Sequence, residues 1–378
     1  MEIRKIKTAI IGCGMISQAY MEFFSKRTQI IDLVACCDLD KVRAKEKATE
    51  FGIKVMTFEE IINDSEIELV INLTNPNIHY TITKQALEHK KHVYSEKMIA
   101  VELQEGKELC EIAIKNGVRL GVAPDTFLGG SIQTAKYIVD SGIIGEVTST
   151  VASLNRDFSI TADILPHLNK RGGGIPFDVG CYYITALAAI LGPVTKVTGF
   201  AKINHQHRVN NRLGTPNFKE QVVVDSENIM VGALQYESGV LGSFHITSES
   251  ILDERPHLEI YGTKGILIMG DPNTFDSPVY VKKMLGETIQ FPFTHGFTKE
   301  SRGMGATEMA WAIRTNRPHR ASMEMAYHVF EMVHGILISA KEDKTYHMQS
   351  TFTKPNSLMD GYLDVGDWGP IEERVLVD

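Results

Sequence analysis

Three short stretches carry side chains whose types and spacing could do chemistry. In SEKM (95–98) an acid, Glu96, and a cation, Lys97, close an apolar run. A lysine beside a bound substrate would hydrogen-bond a substrate hydroxyl. It would also favour the ionised form of a nearby phenol, drawing it below the ordinary tyrosine pKa of ~10. A phenol is available in GGGIPFDVGCYYI (172–184), where three glycines precede an apolar run carrying Asp178 and Tyr182 four residues apart. Two readings of the glycines compete. A loop entering a helix needs backbone freedom, or the loop passes close to a ligand that Asp178 and Tyr182 face.

The third stretch, AIIGCGMIS (9–17), sets Gly12 and Gly14 after an apolar run and before a helical pattern. Gly12 permits a tight turn, Gly14 lets backbone N–H groups approach a pyrophosphate, and the small Ser17 in third place allows close helix packing. LVACCDLD then ends the next apolar run with Asp38, 21 residues beyond Ser17, where an acid would accept hydrogen bonds from an adenosine ribose. Capping of the following helix is the competing role. An acid here repels a 2′-phosphate and no arginine follows immediately, so NAD is expected over NADP.

These residues need a scaffold that gathers strand ends and helix starts. Residues 1–123 alternate TAII, a helix over 16–26, DLVACC, a helix over 41–51, and then ELVINL, HVYS and RLGV, with helical stretches at 79–89 and 101–116 between them. This alternation predicts a doubly wound parallel sheet with crossover helices on both faces. Ligands in such folds sit outside the carboxyl ends of the strands, which puts Lys97 on the cofactor side. From 124 onward the pattern changes. A helix over 178–191 is followed by VTKVTGFAK, EQVVVDS, IMVGALQY, VLGSFHIT, HLEIYG, GILIMG and VYVKK, joined by turns such as YESG and GTKG. Residues 124–378 are therefore expected to form a second α/β domain, a large, mainly antiparallel open sheet backed by helices on one face. Two further helices fall over 303–316 and 322–341, and the tail from 351 shows no clear periodicity. The uncovered face of such a sheet needs a partner, so a homo-oligomer, dimer or tetramer, is expected.

Composition narrows the class. A chain of 378 residues with 43% apolar residues suits two globular domains. A net charge of -8, with no basic cluster, argues against nucleic-acid and anionic-membrane partners and for a small molecule. MEIRKIKTAIIGCGMI reads as a strand rather than a secretory signal. Cys13, Cys36, Cys37, Cys110 and Cys181 are odd in number and form no CxxC pair, which suits free thiols in a cytoplasmic protein. His205 and His207 in HQH lack companions at ligand-like spacing, so no metal site is expected.

Taken in order, GCGMIS (12–17), TNPNIHY (74–80), SEKM (95–98), GGGIPFDVGCY (172–182) and YGTKG (261–265) resemble the Gfo/Idh/MocA oxidoreductase family, a resemblance that spans most of the chain. It implies an N-terminal Rossmann domain, a C-terminal α/β domain with an open sheet, a tightly held nicotinamide cofactor, and hydride transfer at a carbinol of a sugar, inositol or related polyol. By motif position it implies Lys97 as the active-site lysine, Asp178 as an acid that orients it or binds substrate, and Tyr182 as the acid/base. The same carry-over gives the cofactor Gly12, Gly14, Met15, Ile16, Asp38, Thr74, Pro76, His79, Glu96 and Lys97. Tyrosine at 182, where many members carry histidine, resembles the branch of glucose-fructose oxidoreductase, xylose dehydrogenase and dihydrodiol dehydrogenase.

The chain departs from the family pattern at two places. Met98 stands where the family usually has proline, so the preceding bond is either trans or a costly cis one. Thr185 stands where histidine-type members often add an acid or amide. Substrate candidates are Asp125 in APDTF, Arg156 in NRDF, His167 in LPHLNKR, and Tyr183. Capping, surface or packing roles compete at each, as a helix-start role does for Thr74, Pro76 and His79. The expected activity is an NAD(H)-dependent oxidoreductase. Its alternatives are an NAD-dependent glycosidase or lyase working through transient oxidation, and a non-catalytic nucleotide-sensing regulator.

Overall fold

Short β-branched runs between amphipathic helices pair in parallel because each crossover helix returns the chain to the same end of the sheet. The computed structural model describes residues 4–161, 165–251 and 257–358 and follows that rule from its start. It runs β1 (Ile6–Ile11), α1 (Ser17–Lys26), β2 (Ile31–Cys37), α2 (Lys41–Phe51), β3 (Lys54–Val55), α3 (Phe58–Asn63), β4 (Leu69–Asn72), α4 (Pro76–Glu88), β5 (His92–Ser95), α5 (Leu103–Asn116) and β6 (Leu120–Val122). The six strands form one sheet in the order β3-β2-β1-β4-β5-β6, and each pairing is parallel. This is the doubly wound order, with its topological switch point between β1 and β4. β4 is buried at all four positions, as a strand covered on both faces must be.

The chain continues with α6 (Gly130–Asp140), β7 (Val147–Asn155), α7 (Ile175–Asp178), α8 (Gly180–Leu191), β8 (Val194–Lys202), β9 (His207–Val209), β10 (Gln221–Val223), β11 (Ile229–Tyr236), β12 (Leu241–Thr247), β13 (Leu258–Gly262), β14 (Gly265–Met269), β15 (Val279–Lys283), β16 (Thr288–Phe291), α9 (Met304–Thr315), α10 (Met323–Glu342) and β17 (Tyr346–His347). Nine of these strands make a sheet in the order β16-β15-β14-β13-β7-β12-β11-β8-β17. All its pairings are antiparallel except β12 with β7. The sheet alternates cleanly: Met230, Leu234, Phe244, Ile246 and Ala152 point inward, while Phe200, Val231, Leu241 and Val151 are exposed. Helix α10 packs onto the inner face where Gly199 and Gly232 leave room for Ile336.

Two expectations need correction. EQVVVDS yields β10, which pairs with β9 in a separate two-stranded ribbon rather than joining the large sheet. The helix expected over 178–191 begins at Gly180, because Val179, at φ -110°, separates it from the short turn α7. By its internal contacts the chain gathers into two compact units. One compact unit holds residues 4–130, 294–327 and 356–358, and the other holds the described residues of 131–293 and 328–355. Helix α9 stays with the parallel sheet: Arg314 forks onto Glu68 at 2.7 and 2.9 Å, and Gly121 leaves space for Met309. Of the tail from 351, Phe352 and Leu358 are buried, and 359–378 lie outside the described residues.

Candidate functional site

In the parallel-sheet unit the glycine loop is built as the spacing requires. Gly12 takes φ 98°, and a Cβ there would stand 2.6 Å from the Leu73 carbonyl oxygen; both conditions demand glycine. Gly14 faces open space, with nothing within 4 Å of a Cβ, so its backbone is free to meet a ligand. Ser17 is buried and its hydroxyl donates to the Gly14 carbonyl at 2.7 Å, closing the turn into α1. Met15, 74% exposed, stands beside the open backbone, and Ile16 holds the N-cap position of α1.

Asp38 ties the second strand to this loop. One oxygen accepts from the Cys13 N–H at 2.7 Å and the other from the Asp40 N–H at 2.8 Å. The capping role belongs to Asp40, which accepts from the N–H groups of Val42 and Arg43 at 3.0 and 3.2 Å. Each Asp38 oxygen therefore retains acceptor capacity for a ribose hydroxyl. Arg43 lies 3.6 Å from Asp38, a neighbour that the immediate sequence after Asp38 does not suggest. Open backbone at Gly14, the start of α1 and the Asp38 carboxylate together fit a dinucleotide.

Thr74 and His79 are joined by a direct contact. The Thr74 hydroxyl donates to Asn72 Oδ1 at 2.7 Å, and His79 Nε2 lies 2.9 Å from the Thr74 carbonyl. His79 Nδ1 lies 2.9 Å from the Met98 carbonyl, so one buried imidazole links the start of α4 to the segment after β5. Burial lowers its pKa, and the neutral ring donates to only one of the two carbonyls. Pro76 occupies the first turn of α4, where its missing N–H costs nothing. Glu96 is buried and accepts from Tyr20 Oη at 2.8 Å, a partner in α1 that no motif reveals. The Lys97–Met98 peptide is cis. Asp125 is buried and accepts from the Gly303 and Gly305 N–H groups at 2.9 and 3.0 Å. Burial raises its pKa to about 6. Its carboxylate caps α9, which answers the capping alternative.

In the antiparallel-sheet unit the three glycines are explained by packing. Gly172 takes φ 77°, while a Cβ on Gly173 would overlap the His167 carbonyl and one on Gly174 the Ser226 hydroxyl. The loop is thus pressed against its own chain. His167 Nε2 sits 3.7 Å from Asp178 Oδ1, bringing two predicted residues together. Tyr182 follows in the first turn of α8, 7% exposed. Arg156 pairs with Asp271 at 2.5 Å. Tyr183 is buried against the edge of His257 at 5.9 Å, its phenol held above the usual value by burial first and by the Asp271 carboxylate next. The predicted set in this unit therefore divides between His167 with Asp178 and Arg156 with Asp271 and Tyr183. Asp271 carried no sequence signal, lying in an unremarkable turn. Among the described residues no group of three His, Cys, Asp or Glu could hold a metal ion, and no helix is long and apolar enough to cross a membrane.

A doubly wound sheet with an open glycine loop, followed by an open-sheet α/β unit, fits a dinucleotide-binding class of protein. Residues 6–123 match the NAD-binding Rossmann domain of the oxidoreductase family, and residues 132–268 match the Gfo/Idh/MocA C-terminal domain. The chain belongs to the Gfo/Idh/MocA oxidoreductase family. It is 29% identical over 208 residues to an uncharacterized oxidoreductase of Schizosaccharomyces pombe, a match covering 54% of this chain and 56% of the other. It thus spans a little over half the length of that relative. Identity to an inositol 2-dehydrogenase of Salmonella typhimurium is also 29%, over 147 residues, 37% of this chain and 43% of that one. Among solved structures, levoglucosan dehydrogenase in complex with NADH superposes with a TM-score of 0.78 at 18% identity, covering 92% of this chain and 100% of that one. An aldose-aldose oxidoreductase from Caulobacter crescentus complexed with glycerol gives 0.76 at 18%, covering 91% and 100%. At such identities the likeness establishes the fold.

Proposed function

We propose that this protein is an NAD(H)-dependent dehydrogenase or reductase acting on a carbinol of a sugar, inositol or related polyol. The observation that carries this reading is that both domain matches of a hydride-transferring family coincide with a chain that keeps Lys97 after β5 and Tyr182 in α8. The names of its relatives, inositol 2-dehydrogenase and levoglucosan dehydrogenase, support the substrate class. Bound NAD would supply the hydride acceptor at nicotinamide C4. Tyr182 takes the hydroxyl proton as the carbinol is oxidised, and Lys97 stabilises the charge that develops on oxygen. Asp178, whose carboxylate lies 3.7 Å from His167, orients the polar groups. Gly12, Gly14, Met15, Ile16, Asp38, Thr74, Pro76, His79 and Glu96 hold the cofactor, and Asp125 acts from the cap of α9 rather than on substrate. The free cysteines suit a reducing cytoplasm.

The test is a panel of sugars, inositols and diols, followed by the absorbance of reduced nicotinamide. Turnover should fall by at least ~10² in Tyr182→Phe and in Lys97→Ala, the usual contribution of general acid–base assistance, with NAD still bound. Near-normal turnover in both variants would remove them from the chemistry. Bond cleavage without net reduced nicotinamide would point instead to the oxidation-assisted glycosidase, and NAD binding without any turnover to a sensor.

A further inference from the structure

A cavity of about 330 Å³ lies in the parallel-sheet unit, lined by Arg119, Asn316, Arg317, His319, Ser322 and Glu324 among others. The cofactor motifs all follow the carboxyl ends of their strands, whereas Arg119 precedes β6, at the opposite edge of the sheet. Its walls are pinned to that edge. Gly121 bridges to Ser322, and the Val122 N–H donates to the Ala321 carbonyl at 3.2 Å. Asn316, at φ 52°, ends α9 and turns the chain into Arg317. The volume lies at the lower end of small-molecule sites, ~300–1,000 Å³.

The charges lining the cavity decide what it can hold. Arg119 is half-buried, and its guanidinium has neither a hydrogen bond nor an ion pair among the described residues. Burial, followed by repulsion from the Arg317 guanidinium, works against its charge, while the Glu308 and Glu324 carboxylates favour it. Arg317 donates to Glu308 at 2.5 Å, and Arg320 donates to the same carboxylate at 2.9 Å. Glu308 is therefore neutralised within the wall. His319 Nε2 lies 3.1 Å from the Leu120 carbonyl, and burial favours its neutral form. The remaining acid is Glu324, exposed in the first turn of α10. A partly desolvated cation with no hydrogen bond or ion pair to hold it is costly. A guanidinium fork matches carboxylate and phosphate oxygens two at a time.

The geometry points to a second binding site, for a small oxyanion of the carboxylate or phosphate type, held by Arg119 at the amino edge of the parallel sheet. The α10 N-terminus adds a favourable partial positive charge, and Glu324 limits the affinity. The test is calorimetric titration of the whole protein in chloride buffer with inorganic phosphate and, separately, with malonate. NAD is kept at saturation so that the glycine loop does not compete. Saturable 1:1 binding of at least one probe is expected, at least tenfold weaker in Arg119→Gln and several-fold tighter in Glu324→Gln, with NAD affinity unchanged in both variants. The preferred probe identifies the ligand's acidic group. No saturable binding of either probe, or equal binding in Arg119→Gln, overturns the site. Should that variant not fold, an unchanged affinity in Glu324→Gln overturns it.

Discussion

At the scale of single residues, Asp38 does two jobs that the motif alone describes as one. Its carboxylate fastens the glycine loop through Cys13 and faces Arg43 at 3.6 Å. Charge-assisted hydrogen bonds are worth ~1.5–3 kcal/mol, so Asp38→Ser should weaken NAD by roughly 10- to 100-fold. It should also release Arg43 to meet a 2′-phosphate, raising the ratio of kcat/KM for NADP over NAD at least tenfold. An unchanged ratio would show that Asp38 does not select the cofactor. His79 and Glu96 show a limit of motif reading. Their types and places were legible, yet their partners, Met98 and Tyr20, come from other parts of the chain. Asp125 shows the same limit more sharply, since one of its carboxylate oxygens accepts from the start of a helix 178 and 180 residues away.

At the scale of elements, the entry to α7 and α8 explains why three glycines stand in a row. Side chains at 173 and 174 would collide with the His167 carbonyl and with Ser226, so the loop that carries Asp178 is set by packing within its own unit. Gly174→Ala should cost ~1–3 kcal/mol, the usual range for overpacking, and should lower the denaturant midpoint without altering the slope of the transition. A midpoint equal to that of the unaltered protein would mean the loop yields freely. Helices with strong local signals were placed closely from sequence: α2 coincides with the expected 41–51, bounded by the Asp40 cap and by Gly52 at φ 66°. The ribbon of β9 and β10 escaped because a three-residue strand carries no signal about which partner it will find.

At the scale of the whole molecule, the nine-stranded sheet leaves one face in water. Phe200 is 76% exposed, Leu241 58% and Val231 44%, and their registers put them on one surface, Phe200 directly opposite Val231. Exposed apolar side chains grouped on one face can mark an interaction site, and we propose that this face joins copies of this chain into a dimer or tetramer. Phe200→Glu should shift the mass seen by light scattering toward the monomer, while a monomeric unaltered protein at every concentration would refute the proposal. Local patterns sufficed for the doubly wound unit, the glycine loop and the acid after β2, because each depends on residues close in sequence and on a period that strand or helix imposes. Tertiary structure alone decided that α9 belongs with the parallel sheet, that Asp125 is a cap, that Arg156 is paired with Asp271, and that the Arg119 guanidinium has no hydrogen bond or ion pair among the described residues. Those outcomes depend on contacts between distant segments, whose energies are settled by burial and by available hydrogen-bond partners, and neither quantity is written in any local stretch of the chain.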